Sequence, residues 1–428
     1  MRFSMKHARL PASKLASTAK KILPELERMR KVTWEDERAS LLLSSDADVL
    51  RASRKTAAAV ARPDVLVVIG IGGSNLGTVA VQEAVLGKGH NRCVLADMSA
   101  SAEGAGKPQG PLVFYADTVD ADAIAAITPH LKGNVLLNII SKSGGTTETV
   151  ANARILAKAC RATIVATTTK DSKLWNLAHV QGWRALEIPP SVGGRYSVLS
   201  NVGIFPLQLL GIDVVALRKG AAAMRKQCQL ADVDKNPALA SALAQYLHAQ
   251  AGRNVTDLFL FSNDLESLGK WYRQLLGESI GKEHDRKGNL VHAGITPTVS
   301  IGSTDLHSVG QLYLGGPQDK LVTFVRAQSR TQVMVPEGPE YGALVSNLGG
   351  KSCQDIMDAI LEGTKAAFDS ARRPFLEIAM DKTPQDIGAF LQFKMMEVMF
   401  LGALYGVNPF DQPNVESYKE HTRELLAK

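Results

Sequence analysis

The chain has 428 residues, 45% of them hydrophobic and only 6% aromatic, a length that exceeds one ordinary core and divides into two or three domains. Its 49 basic and 42 acidic residues leave a net charge of +7, but they are interspersed, so no basic tail or stripe marks a nucleic-acid or membrane partner. The four cysteines, Cys93, Cys160, Cys228 and Cys353, lie far apart without a CxxC, which speaks against a disulfide framework or a zinc site and suits a reducing cytosol.

The amino terminus MRFSMKHARL is basic but lacks the apolar core of a signal peptide. No run approaches the roughly 18 apolar residues of a membrane span, so a cytoplasmic protein is expected. Residues 1–60 read as a helical arm with a break at Pro24. From Val65 strands and helices alternate: VLVVI, a helix from about Asn75, RCVLAD, PLVFY, VLLNII, a helix after Thr147, ATIVATTT, and a helix near Ser200. This alternation predicts a parallel, doubly wound sheet. A helical stretch then leads to a second set of strands, TDLFLFS, TPTVSI and KLVTFVRA, and a helical tail begins near Pro384. The expected organisation is α/β: an arm, 1–60, that packs on the second unit; a first unit, 61–215; and a second, 216–428, that includes the tail. No low-complexity linker separates them, so the units pack directly on one another.

Ligands of open α/β sheets bind beyond the carboxyl ends of strands, where helix amino termini aim free N–H groups outward. SKSGGTTET, residues 141–149, lies at such a place. Ser141, Ser143, Thr146 and Thr147 offer short hydroxyls, Lys142 a charge, and Gly144 and Gly145 a close backbone approach, together suiting a phosphate monoester. The alternative is a Ser/Thr cap on a glycine turn. A second glycine loop, IGIGGSNLG, follows VLVVI; its GxGxxG fails at Asn75 and no GK[ST] follows, so only Asp97 supports a dinucleotide fingerprint. Gly72, Gly73 and Ser74 instead offer contacts to a compact polar ligand, or merely turn the chain.

LESLGKWYRQLLGESIGK reads as a helix with Leu268, Trp271 and Leu275 on one stripe, and Glu278 is next on it. An inward carboxylate there gains the character of a proton-abstracting base; otherwise Glu278 pairs with Lys282 on the surface. STDLHSVGQLYLGG places His307 in the first turn of a short helix, where the dipole favours neutral imidazole. Arg195 follows two glycines in SVGGRYSVLSNVG, within reach of a cleft or in a structural ion pair. A helix from around Pro413 puts Lys419 on a face with Val415, Tyr418 and Thr422, where it either snorkels past them or serves a ligand.

Taken in order, IGIGGSNLG, SKSGGTTET, VGGRYSVLSNVG, GESIGK, STDLHSVGQ and DQPNVESYK resemble the motifs of the phosphoglucose isomerase family, from about Val65 onward and in its shorter bacterial form. The resemblance implies two SIS-type α/β domains with α-β-α layers, and a homodimer that interconverts glucose 6-phosphate and fructose 6-phosphate in glycolysis and gluconeogenesis without a metal or other cofactor. It implies that Ser141, Lys142, Ser143 and Thr146 hold the phosphate, and that Gly73, Ser74, Glu148 and Gln412 line the sugar site. Glu278 then shuttles a proton between C1 and C2, Arg195 stabilises the enediolate, and His307 with Lys419 opens the ring, the histidine acting in the neighbouring subunit's site. Gly145 departs from the family, which more often has Thr there, so the cradle lacks one hydroxyl. Three other readings stand beside this one: a non-catalytic SIS-type sugar-phosphate sensor, an isomerase of another hexose 6-phosphate, and a nicotinamide-dependent oxidoreductase resting on Asp97.

Overall fold

A computed structural model describes residues 1–102 and 110–428. Twelve strands are present among them: β1 (Arg2–Ser4), β2 (Val65–Ile69), β3 (Leu112–Ala116), β4 (Val135–Ile140), β5 (Ala162–Thr168), β6 (Arg184–Glu187), β7 (Val255–Phe261), β8 (Lys282–His284), β9 (Leu290–Ala293), β10 (Thr296–Ile301), β11 (Lys320–Gln328) and β12 (Phe375–Asp381). The first sheet has the order β3-β2-β4-β5-β6 and every pairing in it is parallel. The second runs β1-β12-β11-β7-β10; only β1, at its edge, is antiparallel. VLVVI and VLLNII are buried along their whole length, as strands covered by helices on both faces must be. The fold is therefore α/β with two doubly wound sheets.

Both sheets repeat one topology. The first parallel strand in chain order lies inside, the second on one side of it and the third on the other, so the winding direction reverses between β2 and β4 and again between β7 and β11. Crevices for ligands open at such reversals. Beyond β7 and β11 the space is taken by charge: Asp264 accepts from Arg330 Nη2 at 2.7 Å and Lys382 Nζ at 2.8 Å, and its other oxygen takes the backbone N–H of Lys88, at 3.2 Å, from the first half of the chain.

Between the sheets lies the main core, built on the 22-residue helix Pro384–Tyr405. By length and composition this helix could cross a membrane, contrary to the expectation that no segment qualified, yet it is almost wholly buried inside the protein. Its two buried charges neutralise each other. Lys394 Nζ contacts Glu397 Oε2 at 2.7 Å, and the other oxygen of Glu397 accepts from the Tyr272 hydroxyl at 2.6 Å. The helix Val214–Cys228 crosses it in close contact, because Gly220 abuts the Gln385 carbonyl and Gly388 abuts that of Leu217.

Several expectations from sequence need correction. RCVLAD is part of the helix His90–Ala102, and Asp97 is exposed on it instead of ending a strand. Only Val94 of its apolar residues is deeply buried, whereas a parallel strand buries both faces. Asn91, in its first turn, bonds the backbone of Val113 through both amide atoms, at 2.7 and 2.9 Å, and so occupies the open edge of β3. The arm contains helices Ala12–Ala19 and Leu23–Arg30, with Pro24 in the first turn of the latter, but it begins with β1, which pairs with β12. Strands β8 and β9 form a hairpin that the sequence did not announce. Strands β6 and β12 have no counterpart in the sequence reading.

Gly388→Ala is expected to lower the urea midpoint sharply. Its Cβ falls on the Leu217 carbonyl, and moving two packed helix backbones apart costs about 3 kcal/mol or more. The exposed Gly182→Ala control, which meets nothing within 4 Å but has φ +67°, should lose only the smaller amount due to backbone strain.

Candidate active site

The loops after β2 and β4 leave the first sheet side by side, since Ile69 is in register with Ile139. The β4 loop is SKSGGTT. Ser141 is buried; its hydroxyl accepts from the Gly144 N–H at 3.1 Å and lies 3.0 Å from the Thr146 hydroxyl. Thr146 precedes the helix Thr147–Ala159 without capping it through its side chain, so the first-turn N–H groups stay free for an anion. This rules out the simple cap reading of these hydroxyls. Gly144 has φ +73°, and a Cβ there would come 2.6 Å from the Leu174 nitrogen, so the turn demands glycine. Gly145 meets nothing within 4 Å; a side chain could stand there. Lys142 is half-buried, and that burial pulls its ammonium below the usual lysine range. Beneath the loop, Thr168 Oγ1 donates to the Ser141 carbonyl at 2.6 Å and fixes its height.

The β2 loop joins this cradle to a second group of residues. Ser74 touches Gly70, which lies against Ile140, the last residue before the cradle, and Gly73 lies against Gly194 and Arg195 so closely that a Cβ would stand 2.5 Å from the Arg195 nitrogen. Arg195 is 3% exposed, and all five of its N–H groups have acceptors. Nε donates to Ser279 Oγ at 2.8 Å; Nη2 donates to the carbonyls of Pro409 and Asp411 at 2.6 and 3.0 Å; Nη1 donates to Gln412 Oε1 at 2.6 Å and Glu278 Oε2 at 3.2 Å. The remaining Glu278 oxygen accepts from Gln274 Nε2 at 3.0 Å. Nε and Nη2 are thus tied to the frame, while Nη1 faces the side chains of Gln412 and Glu278. A carboxylate beside a fixed cation, next to a phosphate cradle, suits proton transfer on a phosphorylated carbon chain whose oxygen gains negative charge.

Glu278 sits on the helix Glu266–Ile280 as its stripe implied, and Leu268, Trp271 and Leu275 are fully buried. Its side chain, however, is 34% exposed, because the helix emerges into the crevice at its last turn. The surface pair with Lys282 does not form: Lys282 is buried and donates to the backbone carbonyls of Glu278 and Asp411, at 2.5 and 2.8 Å. Burial, and next the nearby Arg195 charge, lower its affinity for a proton.

The structure brings together Gly73, Ser74, Ser141, Lys142, Ser143, Thr146, Arg195, Glu278 and Gln412, with Glu148 in the first turn above the cradle. It does not join His307 or Lys419 to them. His307 ends the short turn Thr304–His307 rather than opening a helix, and it is exposed; no hydrogen bond or ion pair ties its ring to another described residue. The reason is local: Asp305 takes the Ile301 N–H at 2.7 Å and the Ser308 hydroxyl at 2.8 Å, closing the turn before the helix Gly310–Gly315 begins. Lys419, on the helix Glu416–Leu426, pairs with Glu416 at 2.7 Å, and that helix buries none of its residues. Gln274, Ser279 and Tyr196 escaped the sequence reading. Gln274 alone had a signal, its place one turn before Glu278 on the same helix face. Among the described residues no group of three or more His, Cys, Asp or Glu is arranged to hold a metal ion.

A sequence profile described as phosphoglucose isomerase matches residues 47–428. A glucose-6-phosphate isomerase of Carboxydothermus hydrogenoformans is 34% identical over 375 residues, which are 85% of this chain and 78% of that protein. Among solved structures, a hypothetical protein from Thermus thermophilus aligns over 100% of both chains with a TM-score of 0.84 and 30% identity. A glucose-6-phosphate isomerase from Chlamydia trachomatis shares the fold, with a TM-score of 0.81 at 21% identity over 99% of this chain and 88% of that one.

Lys142 yields a pH prediction. Only its protonated form attracts an anion, and burial depresses its pKa, so affinity for inorganic phosphate should fall as pH rises through that depressed value, below the usual lysine pKa of about 10.4. Competition by phosphate, measured from neutral to alkaline pH, should show this loss in the native protein and lose it in Lys142→Met. A native phosphate affinity that stays constant into the ordinary lysine range would remove Lys142 from the cradle.

Proposed function

The chain belongs to the phosphoglucose isomerase family, and from that premise we propose how its own residues carry the reaction. The protein is an aldose–ketose isomerase that interconverts glucose 6-phosphate and fructose 6-phosphate. In the proposed assignment Ser141, Lys142, Ser143 and Thr146, with the free N–H groups of the following helix, bind the 6-phosphate. Gly73, Ser74, Glu148 and Gln412 line the sugar.

Glu278 removes the C2 proton of the open-chain aldose and returns it to C1. The intermediate enediolate carries its negative charge on oxygen, and Arg195 Nη1 faces that charge. Two frame-bound edges keep the guanidinium from following the substrate, so the stabilisation is pre-formed. Catalysis then has its cation in Arg195, and we assign it no metal or other cofactor. The observation that carries this assignment is the Arg195–Glu278 contact, made by residues from the two halves of the chain beside the cradle. A sensor that only binds sugar phosphate would have no use for it. The nicotinamide reading has lost Asp97 to a helix surface. Which hexose 6-phosphates besides glucose and fructose are accepted depends on hydroxyl contacts at Gln412 and Glu148.

Ring opening is assigned to His307 with Lys419. We place His307 in the other subunit's site of a cytoplasmic homodimer, a placement supported by its exposure and by the lack, among the described residues, of a hydrogen bond or ion pair to its ring. For domain bounds we adopt 1–60, 61–215 and 216–428; the pairing of β1 with β12 supports docking of the arm on the last of these.

Glu278→Gln should lower kcat about 10²–10⁴-fold with little change in KM, the usual cost of removing a general base. Exchange of the C2 proton with solvent at the native rate would take that role from Glu278. Co-expression of Glu278→Gln with His307→Ala tests the shared site. If His307 of the partner subunit completes each site, about a quarter of all sites regain both groups under random pairing; no recovery in a preparation shown to contain mixed dimers would return the histidine to its own chain.

A further inference from the structure

The loop 407–412 aims Arg195, since its Pro409 and Asp411 carbonyls and Gln412 amide accept three of the five hydrogen bonds. On its outer side the loop borders a cavity of about 510 Å³ lined in part by Asn408, Asp411 and Pro413, so packing there does not hold it. Val407 and Pro409 pack inward, and on the outer side the loop is anchored by cations from distant segments. Arg286, on the β8–β9 turn, bonds the Gly406 carbonyl through its backbone N–H at 2.8 Å and that of Val407 through Nε at 3.3 Å. Lys282 holds Asp411. Between these two, the one aromatic side chain of the loop, Phe410, is covered by the guanidinium of Arg38, whose Cζ lies 5.4 Å from the ring centroid. The ring also packs with Tyr196 at 5.5 Å, and the Tyr196 hydroxyl reaches Ser279 Oγ at 2.9 Å and the Pro409 carbonyl at 3.1 Å.

Arg38 is itself clamped. It is 4% exposed, donates from Nε and Nη2 to the two oxygens of Glu25 at 2.5 and 3.0 Å, and from Nη1 to Asp36 at 3.0 Å. Arg28 holds the same Glu25 at 2.8 Å. Glu25 and Arg38 both precede residue 47, where the family match begins.

We infer that Arg38, on the amino-terminal arm, is a positioning residue for Arg195, acting through the Phe410 ring on the loop 407–412. The inference rests on the assignment of Glu278 and Arg195 given above. A planar cation clamped by Glu25 sets how far the Phe410 ring can rise, and the ring sets the height of the carbonyls that grip Nη2. Loosening the loop displaces Nη1 from the developing oxyanion and shifts Gln412 at the edge of the sugar, but leaves the phosphate cradle, on another sheet, untouched. The larger loss therefore falls on kcat, with a smaller rise in KM through Gln412, whereas a residue that only adds stability changes the melting temperature and neither constant.

The test compares Arg38→Met, Phe410→Leu and the double variant in a coupled assay with fructose 6-phosphate, below the melting temperature of each. Arg38→Met is expected to lose about 10- to 100-fold in kcat, the scale of small misplacements at a reacting centre, with a rise in KM well below that loss. The Phe410→Leu and Arg38→Met losses should fail to add in the double variant, because one acts through the other. Arg38→Lys, which keeps a cation over the ring, should regain part of the rate. If the uncompensated Glu25 carboxylate unfolds Arg38→Met, the neutral pair Glu25→Gln with Arg38→Met takes its place. Native kcat in a folded Arg38 variant, or fully additive losses, overturns the inference. Glu278→Gln assayed alongside separates the two levels: if it still exchanges the C2 proton, the base assignment fails, whereas an inactive Glu278→Gln beside a fully active Arg38→Met overturns only the positioning role.

Discussion

In the site, the two halves of this protein meet at one guanidinium. Arg195 comes from the first half of the chain, and its five donors are answered by a helix residue, Ser279, by Glu278 one position earlier, and by a loop near the carboxyl end. A buried cation with an unanswered N–H costs several kcal/mol, so the three segments can come together only in the arrangement that satisfies all five. The site is thereby a condition of the fold's closure. Gly73 belongs to the same condition: no side chain fits between the β2 loop and the Gly194–Arg195 backbone, so the loop and the arginine must approach as bare chain.

The surrounding cations fall into two kinds. Arg38, Arg195 and Lys282 are each nearly excluded from water; the carboxylates of Glu25 and Asp36 answer Arg38, whereas backbone carbonyls and uncharged side chains supply most of the acceptors of Arg195 and Lys282. Carbonyl dipoles satisfy a cation without cancelling its charge, so Arg195 and Lys282 keep a positive field at the crevice. That field suits a dianionic substrate and an oxyanionic intermediate alike. Glu278, in contrast, keeps part of its side chain in water.

Local patterns in the sequence carried much of the architecture. Continuous apolar runs such as VLVVI and VLLNII could only be covered parallel strands, and glycine-rich turns directly after them marked the crevice. The failures were those of long-range context. RCVLAD has the composition of a strand, but its position at the edge of β3 let Asn91 satisfy that edge through a side chain, leaving the segment to form a helix. FLEIAMD, which became β12, alternates too weakly to announce itself; its neighbours β11 and β1 decided the matter. In the site, the stripe on Glu266–Ile280 located Glu278 but not its exposure, which depends on where the helix end emerges. The bonds of Lys282 and Arg38 to the loop that follows the core helix had no local signature at all, since their partners lie at the far end of the chain.

The charge cluster at Asp264 bears on how a duplicated architecture comes to work asymmetrically. The two sheets offer equivalent crevices, and the second is rimmed by Arg330 and Lys382, a pair that would welcome a phosphate. Asp264 meets them first and, through the Lys88 amide, binds them to the first half of the molecule. One crevice thus leaves helix N–H groups open to an anion while its twin carries a built-in counter-ion. What serves as a doorway in the first sheet has become a rivet in the second, and the halves are fastened at the spot where they would otherwise compete for the same guest.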